Sequence, residues 1–354
     1  MKSISKIGFF AAALVLMGQG CLGGGGAPGS DGGVFKTSNG GDDWAQVTVI
    51  PGASGVGTIA GTDVRTIEMD PQDKSVLYAG TLENGFLFTE DAAGTWRQPR
   101  HDALRDGPIN AVEVDPKHVC TMYVAKQQRL YKTEDCGRHF DSEAYVETRS
   151  GVFVRRISVD WFNENVVWIG LSNGDVFKSE NKARTWTKVY NGRNAVTDIL
   201  IHNVDSRNVL VATEGNGFFK TADGGANWLQ VEDEDGLATL RNVNRVYSTA
   251  QTNSSDTVIA ATAYGIIRSH DFGDTWQAVD LLTAPGQVAI TAMGIAPDNA
   301  DRMYYAAANT FYSSPDGGNT WTTFRVPTSR VVSDLVVDPV DPSVVYVGVV
   351  TPEE

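Results

Sequence analysis

One short pattern recurs seven times along the chain and constrains the fold more than any other feature. Each copy has eight residues and runs from a Ser or Thr, through an Asp or Asn and small residues, to a Trp or Phe. The final aromatic residues follow one another at intervals of 52, 44, 46, 42, 48 and 45 residues. A period in the forties, with strand-like sequence between the copies, predicts the blades of a β-propeller. The copies are Thr37–Trp44, Thr89–Trp96, Thr133–Phe140, Ser179–Trp186, Thr221–Trp228, Ser269–Trp276 and Ser314–Trp321.

The sequence between two copies is typical of short β-strands. In the unit that ends at Trp96, Val64–Met69 alternates apolar and polar residues, and the Asp-Pro pair that follows signals a turn. Two further β-rich runs, Ser75–Thr81 and Phe86–Thr89, are separated by a Gly-containing turn, and the repeated pattern then leads into a fourth strand. No helical periodicity accompanies these runs. The sequence therefore predicts an all-β fold with four antiparallel strands in each blade.

The polar residue at the third position of each copy is expected to stabilise its own turn. A short carboxylate or amide side chain accepts hydrogen bonds from nearby backbone N–H groups, and the small residues after it allow positive φ. The aromatic residue that ends each copy is expected to bury its ring between strands or blades. We therefore predict a structural role, with binding of Ca²⁺ by these turns as an alternative. The polar residues are Asn39, Asp91, Asp135, Asn181, Asp223, Asp271 and Asp316, and the aromatic ones are Trp44, Trp96, Phe140, Trp186, Trp228, Trp276 and Trp321.

The two ends of the repeat region predict how the ring closes. Gly33–Lys36 resembles a third strand, whereas Val331–Asp338 and Ser343–Val350 resemble a first and a second strand. The C-terminal pair is therefore expected to complete the N-terminal blade. Residues 33–354 are predicted to form one seven-bladed domain, because a propeller grows by adding blades and not by enlarging a single core.

The first 32 residues read as an export signal and a linker. Lys2 and Lys6 precede the apolar run Ile7–Met17, so residues 1–20 are predicted to be a signal peptide. Cys21 follows a small residue, as at a bacterial lipoprotein cleavage site, and is the predicted lipidation site. Residues 21–32 are Gly-rich and would be a flexible tether. We expect an exported lipoprotein, anchored to a membrane only through its lipid, or a secreted protein if Cys21 is not lipidated.

The two remaining cysteines, Cys120 and Cys136, flank a predicted hairpin between a second and a third strand. The turn near Gln127 would place them opposite each other, within the distance that a disulfide spans. An oxidising compartment would permit the bond, so we predict a Cys120–Cys136 disulfide. Two buried free thiols are the alternative.

The net charge of −14 argues against nucleic-acid binding, which depends on neutralising phosphates. The sequence contains no metalloprotease helix, nucleophile elbow, Cys-x-x-Cys pair or phosphate loop. We therefore expect no cofactor, no metal and a monomer.

The more variable loops lie between second and third strands and between one blade and the next, and they share one face of a propeller. We call it the mouth face, and the opposite face, which carries the repeated turns, the turn face. Functional residues concentrate on variable loops held by a rigid scaffold. Counting back five positions from the turn that ends each first strand places several polar residues at the channel mouth. Arginines at this position would favour carboxylate or phosphate groups. The alternative is a water-filled polar channel whose arginines pair with local acids. The candidate ligand-binding residues are Arg65, Asn110, Arg155, Asp198 and Arg245, with Thr291 and Ser333 in the remaining blades.

The seven repeats resemble the Asp-box, or BNR-type, superfamily, over essentially residues 33–350. That superfamily includes sialidases, xyloglucan-degrading hydrolases, sortilin-type receptors and photosystem II assembly-factor propellers. The Arg-Ile-Pro signature of sialidases is missing here, since Arg156 and Ile157 are followed by Ser158. The xyloglucan-degrading relatives place their site between two propellers, whereas this chain carries one.

These considerations predict a non-catalytic scaffold that binds a protein, peptide or glycan at the mouth face. A carbohydrate-active hydrolase of the sialidase or xyloglucanase type is the alternative, because this superfold carries unrelated activities.

Overall fold

The computed structural model describes residues 30–52, 55–118, 120–231 and 246–353. Within them the chain forms an all-β propeller of seven sheets, which confirms the predicted fold class. The first strand of each sheet lies against the first strands of both neighbouring sheets, so the sheets close into a ring. The only helical element among the described residues is a 3-10 turn at Asp102–Leu104. No helix in the described part of the chain is long and apolar enough to cross a membrane.

The first blade joins the two ends of the chain, as predicted. From the channel outwards it contains β28 (Val331–Val337), β29 (Val345–Val350), β1 (Gly33–Thr37) and β2 (Ala45–Gln46). The second blade contains β5 (Val64–Met69), β6 (Leu77–Thr81) and β7 (Phe86–Thr89), and its fourth strand is reduced to a single bridge between Phe88 and Arg97. A separate hairpin, β3 (Val49–Gly52) and β4 (Gly55–Thr58), lies in the connection between these two blades.

The other five blades each have four antiparallel strands in sequence order from the channel outwards. Blade three is β8 (Ala111–Val114), β9 (Met122–Lys126), β10 (Arg129–Thr133) and β11 (Asp141–Val146). Blade four is β12 (Val154–Val159), β13 (Val167–Leu171), β14 (Asp175–Ser179) and β15 (Thr187–Asn191). Blade five is β16 (Val196–Ile201), β17 (Val209–Thr213), β18 (Gly217–Thr221) and β19 (Leu229–Gln230). Blade six is β20 (Val246–Gln251), β21 (Val258–Thr262), β22 (Ile266–Ser269) and β23 (Gln277–Ala278). Blade seven is β24 (Ala292–Ala296), β25 (Asn299–Ala307), β26 (Thr310–Ser314) and β27 (Thr322–Arg325).

Ring closure depends on a five-residue antiparallel ladder and on one buried arginine. Gly33 of β1 pairs with Val349 of β29, and the register continues to Thr37 opposite Val345. Beside this ladder, the buried Arg330 side chain forms ion pairs with Asp31 and Asp63. Arg330 thereby connects the segment before β1, the loop before β5 and the segment before β28.

The seven repeated turns share one hydrogen-bond pattern, in which the polar residue accepts bonds from its own turn. In the fifth copy, Thr221 Oγ1 donates to Asp223 Oδ1 at 2.8 Å and accepts from the Gly225 N–H at 3.0 Å. Asp223 Oδ1 also accepts from the Asn227 N–H at 2.9 Å. The other six copies repeat these three bonds. Among the described residues, no group of three or more His, Cys, Asp or Glu side chains is placed to hold a metal ion.

The two residues that follow the polar one have positive φ in all seven turns, which explains why Gly is frequent there. The first of the two donates its N–H to the carbonyl just before the second strand of the same blade, as Ala92 does to Ser75 at 2.7 Å. This bond recurs in every blade and holds the repeated turn against the turn between the first and second strands.

The aromatic residues that end the repeats pack between blades. The Trp186 ring lies 5.6 Å from Tyr145 of the preceding blade, and its Nε1 donates to the carbonyl of Ala144 at 2.8 Å. The Trp276 ring stacks on Phe218 of the preceding blade at 4.5 Å. The apolar clusters likewise span adjacent blades, so the core of the protein is a ring of inter-blade interfaces and not one central mass.

The predicted disulfide between Cys120 and Cys136 is confirmed. Both residues lie just beyond the last ladder pair of β9 and β10, which is Met122 opposite Thr133. Cys136 occupies the first positive-φ position of its turn, and its N–H donates to the Cys120 carbonyl at 3.1 Å. The disulfide therefore reinforces a contact that the backbone already makes in every blade.

Replacing Asp271 by Asn should leave stability nearly unchanged, whereas replacing it by Ala should cost about 1–2 kcal/mol. Asn occupies the same position in two copies, where Asn181 keeps the Oδ1 bonds and its Nδ2 donates to Thr185 Oγ1 at 2.7 Å. Ala removes the acceptor of three donors, which are the Ser269 hydroxyl and the N–H and hydroxyl of Thr275. Urea unfolding of the two variants would measure the difference, and equal losses would contradict the hydrogen-bond account.

The predictions for the signal peptide (residues 1–20), for Cys21 and for most of the tether lie outside the described residues. The last three tether residues are packed against the propeller. Gln46 Nε2 donates to the carbonyls of Ser30 and Gly32 at 2.9 Å, and the Gly32 N–H donates to Ala60. The folded unit therefore begins by residue 30, slightly before the predicted boundary at Gly33.

Candidate active site

The seven first strands surround a central channel. Along each of them, channel-facing residues alternate with residues buried between blades; in β5, Ile67 and Met69 are buried whereas Thr66 and Glu68 are half-buried. A cavity of about 390 Å³ occupies the channel. It lies toward the turn face, because residues just after the first strands line it. They are Pro71, Pro116, Trp161 and Pro297.

The channel-facing side chains form two layers, two residues apart along each strand, as the period of a β-strand requires. Each layer contributes two carboxyl groups to the cavity, and the upper layer also contributes a guanidinium group. The upper layer, nearer the mouth, contains Thr66, Ala111, Arg156, Asp198 and Asp334. The lower layer contains Glu68, Glu113, Ser158, Leu200, Ala250, Gly294 and Val336.

Three of the four carboxylates hold neighbouring blades together. Asp334 Oδ2 accepts the Ile67 N–H of the next blade at 3.0 Å. Asp198 Oδ2 accepts both the N–H and the hydroxyl of Thr249 in the next blade, at 3.1 and 2.5 Å. Glu113 Oε1 accepts the Val159 N–H at 3.2 Å. These side chains therefore bond first strands that share no backbone ladder.

Glu68 and Glu113 are matched in position but differ in their hydrogen bonds. They occupy the same layer on the first strands of adjacent blades, and both face the cavity from deep in the molecule. Burial raises the pKa of Glu113 to about 8, against the lowering effect of the Val159 N–H. Burial, together with the charges of Glu113 and Asp334, raises the pKa of Glu68 well above its usual range. Glu68 accepts no hydrogen bond within the described residues, so the proton stays on Glu68 more readily than on Glu113.

The raised pKa values predict that stability falls as the pH rises. Each of these carboxyls is neutral in the folded state at a pH where it would ionise in the unfolded chain. The contribution of these neutral carboxyls to the free energy of unfolding is therefore complete below the unfolded pKa, near 4.5. It is lost as the pH rises through the folded pKa, which is about 8 for Glu113. The temperature of unfolding should fall between pH 5 and pH 8, as calorimetry would measure.

Glu113→Gln should flatten this pH dependence, because it replaces the titrating carboxyl by a neutral group that still accepts the Val159 N–H. Glu83→Gln is the matched control, since Glu83 is exposed on the turn between β6 and β7. A Glu113→Gln profile as steep as that of the wild type would show that this carboxyl does not carry the effect.

Two of the arginines predicted from the sequence, Arg65 and Arg155, lie at the mouth. Arg65 and Arg155 each occupy the extra residue of a β-bulge at the start of a first strand. Arg155 Nη1 pairs with Glu214 at 2.9 Å, whereas Arg65 makes no hydrogen bond or ion pair within the described residues. Burial and the charges of Arg156 and Arg155 lower the pKa of Arg65. Neither Arg65 nor Arg155 lines the cavity, so the mouth and the carboxylate layers are separate parts of the channel.

The other predicted mouth residues are placed differently from the expectation. The buried Asn110 amide donates to the backbone carbonyls of Val154 and Gln127, so it acts as a contact between blades. The alignment that put Asp198 beside Arg65 was wrong by one residue. The bulge residue of β16 is Thr197, and Asp198 lies in the upper carboxylate layer. Arg245 lies outside the described residues.

The hydroxyl groups of Ser333 and Thr291, the remaining two predicted mouth residues, donate hydrogen bonds to backbone carbonyls. Ser333 Oγ donates to the Val64 carbonyl, and Thr291 Oγ1 donates to the Ala306 carbonyl at 3.3 Å. In blade six the bulge position belongs to Tyr247, which is exposed.

Sequence reasoning missed Glu68, Glu113, Asp334 and Arg156. The signal was present, because these residues lie two or four positions before the Asp that ends each first strand. Counting back two and four positions from that Asp, instead of five, would have found the two carboxylate layers.

Known proteins resemble this chain in sequence and in fold. No protein-family model matches the sequence. The chain is 22% identical over 245 residues to the oligoxyloglucan-reducing end-specific xyloglucanase of Emericella nidulans, a match that covers 60% of this chain and 29% of the relative. The chain thus spans under a third of the length of that enzyme.

Two solved structures show the same fold. The GH74 xyloglucanase from Xanthomonas campestris superposes with a TM-score of 0.66 at 16% identity, over 86% of this chain and 52% of that chain. The structure of YCF48 bound to D1 peptide superposes with a TM-score of 0.60 at 13% identity, over 82% of this chain and 94% of that chain.

These comparisons correct the functional prediction. A non-catalytic scaffold was the main expectation, but the sequence relative is a xyloglucanase and a GH74 xyloglucanase shares the fold. The main prediction is therefore wrong, and the alternative, a carbohydrate-active hydrolase, is the interpretation that the matches favour.

Proposed function

We propose that this protein is a glycoside hydrolase that acts on a β-glucan of the xyloglucan class, with Glu68 as general acid and Glu113 as general base. The observation that carries this assignment is the pair itself: two carboxyl groups in one layer, on adjacent first strands, facing one 390 Å³ cavity. The substrate class comes from the xyloglucanase relative. Hydrolysis of a glycosidic bond requires one protonated and one ionised carboxyl group, and this pair supplies both as the pH approaches the Glu113 pKa of about 8.

The different surroundings of the two groups assign their roles. Glu68, which lacks a hydrogen-bond donor among the described residues, retains its proton and protonates the oxygen of the leaving sugar. Glu113 is ionised only near its raised pKa of about 8; in that form, which the Val159 N–H favours, it removes a proton from the attacking water. The water oxygen bonds to the anomeric carbon as the glycosidic C–O bond breaks. Trp161, half-buried at the rim of the cavity, offers an aromatic face to a sugar ring.

Export is part of the same proposal. A polysaccharide does not cross membranes, so its hydrolase must act outside the cytoplasm. The signal-peptide pattern in residues 1–20 and the Cys120–Cys136 disulfide both support an oxidising, exported location. Anchoring through lipidated Cys21 completes the proposal, with the glycan as the partner and no cofactor required.

Release of reducing ends from xyloglucan oligosaccharides tests the function. Glu68→Gln and Glu113→Gln should each lower kcat/KM at least about a hundredfold, the range of general acid–base catalysis. Glu83→Gln should retain wild-type activity. An aryl glycoside whose leaving group needs no proton should restore turnover by the Glu68→Gln variant and leave the Glu113→Gln variant inactive.

Two outcomes would overturn the proposal. One is the absence of hydrolysis by the wild-type protein on xyloglucan oligosaccharides and on a panel of aryl β-glycosides. The other is full activity in both Gln variants, which would place the chemistry elsewhere on the molecule.

A further inference from the structure

Among the described residues, the channel mouth carries one arginine, Arg65, that no carboxylate pairs with. Arg65 lies half-buried at the mouth and makes no hydrogen bond or ion pair with any described residue. Burial of Arg65, followed by repulsion from Arg156 and Arg155, lowers its pKa. A guanidinium group held among like charges, without a carboxylate of its own, is a site for an external anion.

The same β-bulge positions Arg65 and Arg155 in equivalent places on two blades. In each first strand one extra residue interrupts the ladder, between Val64 and Thr66 in one blade and between Val154 and Arg156 in the other. Both arginines are thereby released from the ladder at the end where the channel opens. Among the described residues Arg155 forms an ion pair with Glu214, whose side chain is 49% exposed, so an incoming carboxylate can replace that partner.

An aromatic residue occupies the same ring position in blade six. Tyr247 is the bulge residue of β20, between Val246 and Ser248, and is 39% exposed. Exposed aromatic rings at such positions stack on the apolar face of a sugar, while a guanidinium group binds a carboxylate through two parallel hydrogen bonds. The rim of the mouth therefore presents arginines from blades two and four and an aromatic ring from blade six, the two kinds of contact that a sugar acid requires.

We propose that the channel mouth is a second, non-catalytic binding site for a uronate residue of a polysaccharide, with Arg65 and Arg155 on its carboxylate and Tyr247 on its ring. The site is separate from the carboxylate layers, because neither arginine lines the cavity. The carboxylate specificity follows from the mouth alone. The choice of a sugar as its carrier rests on the proposed function, since a polysaccharide hydrolase meets such residues on its substrate or on neighbouring polymers.

Calorimetric titration of the protein with trigalacturonate tests the inference without any hydrolysis. The matched probe is the methyl ester of the same trisaccharide, which keeps the sugar rings and removes the charge. We expect the acid to bind at least tenfold more tightly than the ester, and this preference to shrink as salt rises. Arg65→Gln should weaken binding of the acid about tenfold. Tyr247→Ala should weaken both sugars.

Arg97→Gln is the control, because Arg97 is exposed on the turn face and pairs with Glu90. It should bind trigalacturonate as the wild type does. Arg65→Gln should unfold at or above the wild-type temperature, since it removes a repelled charge, so lost binding would not reflect lost folding.

Several results would overturn the inference. They are failure of trigalacturonate to bind at millimolar concentration, equal binding of acid and ester, and wild-type affinity in Arg65→Gln. Tighter binding of an acidic pentapeptide than of trigalacturonate would show that the carrier is a peptide and would overturn the sugar assignment. Each result is read from binding, so it stands whether or not the protein hydrolyses xyloglucan.

Discussion

Replacing Trp96 by Ala is expected to destabilise the protein by about 3–5 kcal/mol. Trp96 is fully buried between the first two blades, in a cluster with Val34, Leu87 and Tyr346. Its Nε1 donates to the Val47 carbonyl at 2.8 Å, and its backbone N–H donates to Val49 at 2.7 Å. The substitution therefore opens a large cavity and also leaves the Val47 carbonyl without this donor. Urea unfolding followed by tryptophan fluorescence would measure the loss.

Trp321→Ala provides the matched control at the same position of the last repeat. Trp321 is only half-buried, and its indole bond to Asp280 lies near solvent. We expect the loss in this variant to be less than half of that for Trp96→Ala. Equal losses would show that burial between blades does not determine how much these rings contribute to the free energy of unfolding.

Replacing Arg330 by Met should cost about 3 kcal/mol, because it removes the cation that two carboxylates share at the closure of the ring. Arg330 is buried, and its guanidinium group contacts Asp31, Asp63 and the carbonyl of Gly61. Met keeps much of the aliphatic volume, so the loss measures the charge contacts more than the packing. The partial exposure of the two acids places the expected cost at the low end for a broken buried pair.

Arg97→Met tests an ordinary surface pair in the same protein. Arg97 and Glu90 are both more than half exposed, so this substitution should cost less than about 1 kcal/mol. The free energy of unfolding of both variants would be compared under identical conditions. A cost for Arg330→Met no larger than that for Arg97→Met would mean that ring closure rests on the β1–β29 ladder alone.

The architecture could be predicted from the sequence because each blade repeats its own local signals. The turn that contains Asp223 needs only a hydroxyl, a carboxylate and two residues tolerant of positive φ, all within one stretch of eight residues. The Cys120–Cys136 disulfide followed in the same way from a single hairpin. Such features depend on neighbours in the sequence, so reading the chain recovers them.

The channel could not be predicted in the same way, because it depends on contacts between distant parts of the chain. Asp334 accepts a hydrogen bond from the Ile67 N–H across the closure of the ring, and no local sequence pattern predicts that contact. In blade five, His202 stands where four other first strands end in Asp, so counting back along β16 reached Asp198 and not the bulge residue Thr197. His202 takes the place of that Asp by accepting two backbone N–H groups of the following turn, and only the folded structure shows this equivalence.

The shared construction of the first blade has a consequence for biosynthesis. The strand β1 leaves the ribosome early, yet its partner β29 lies more than 300 residues further along. At the usual pace of translation the wait is roughly 15 to 60 seconds. During that interval the edge of β1 stays unpaired, so a chaperone or the export machinery would need to shield it. A truncated mRNA would yield a chain without β29, whose ring cannot close.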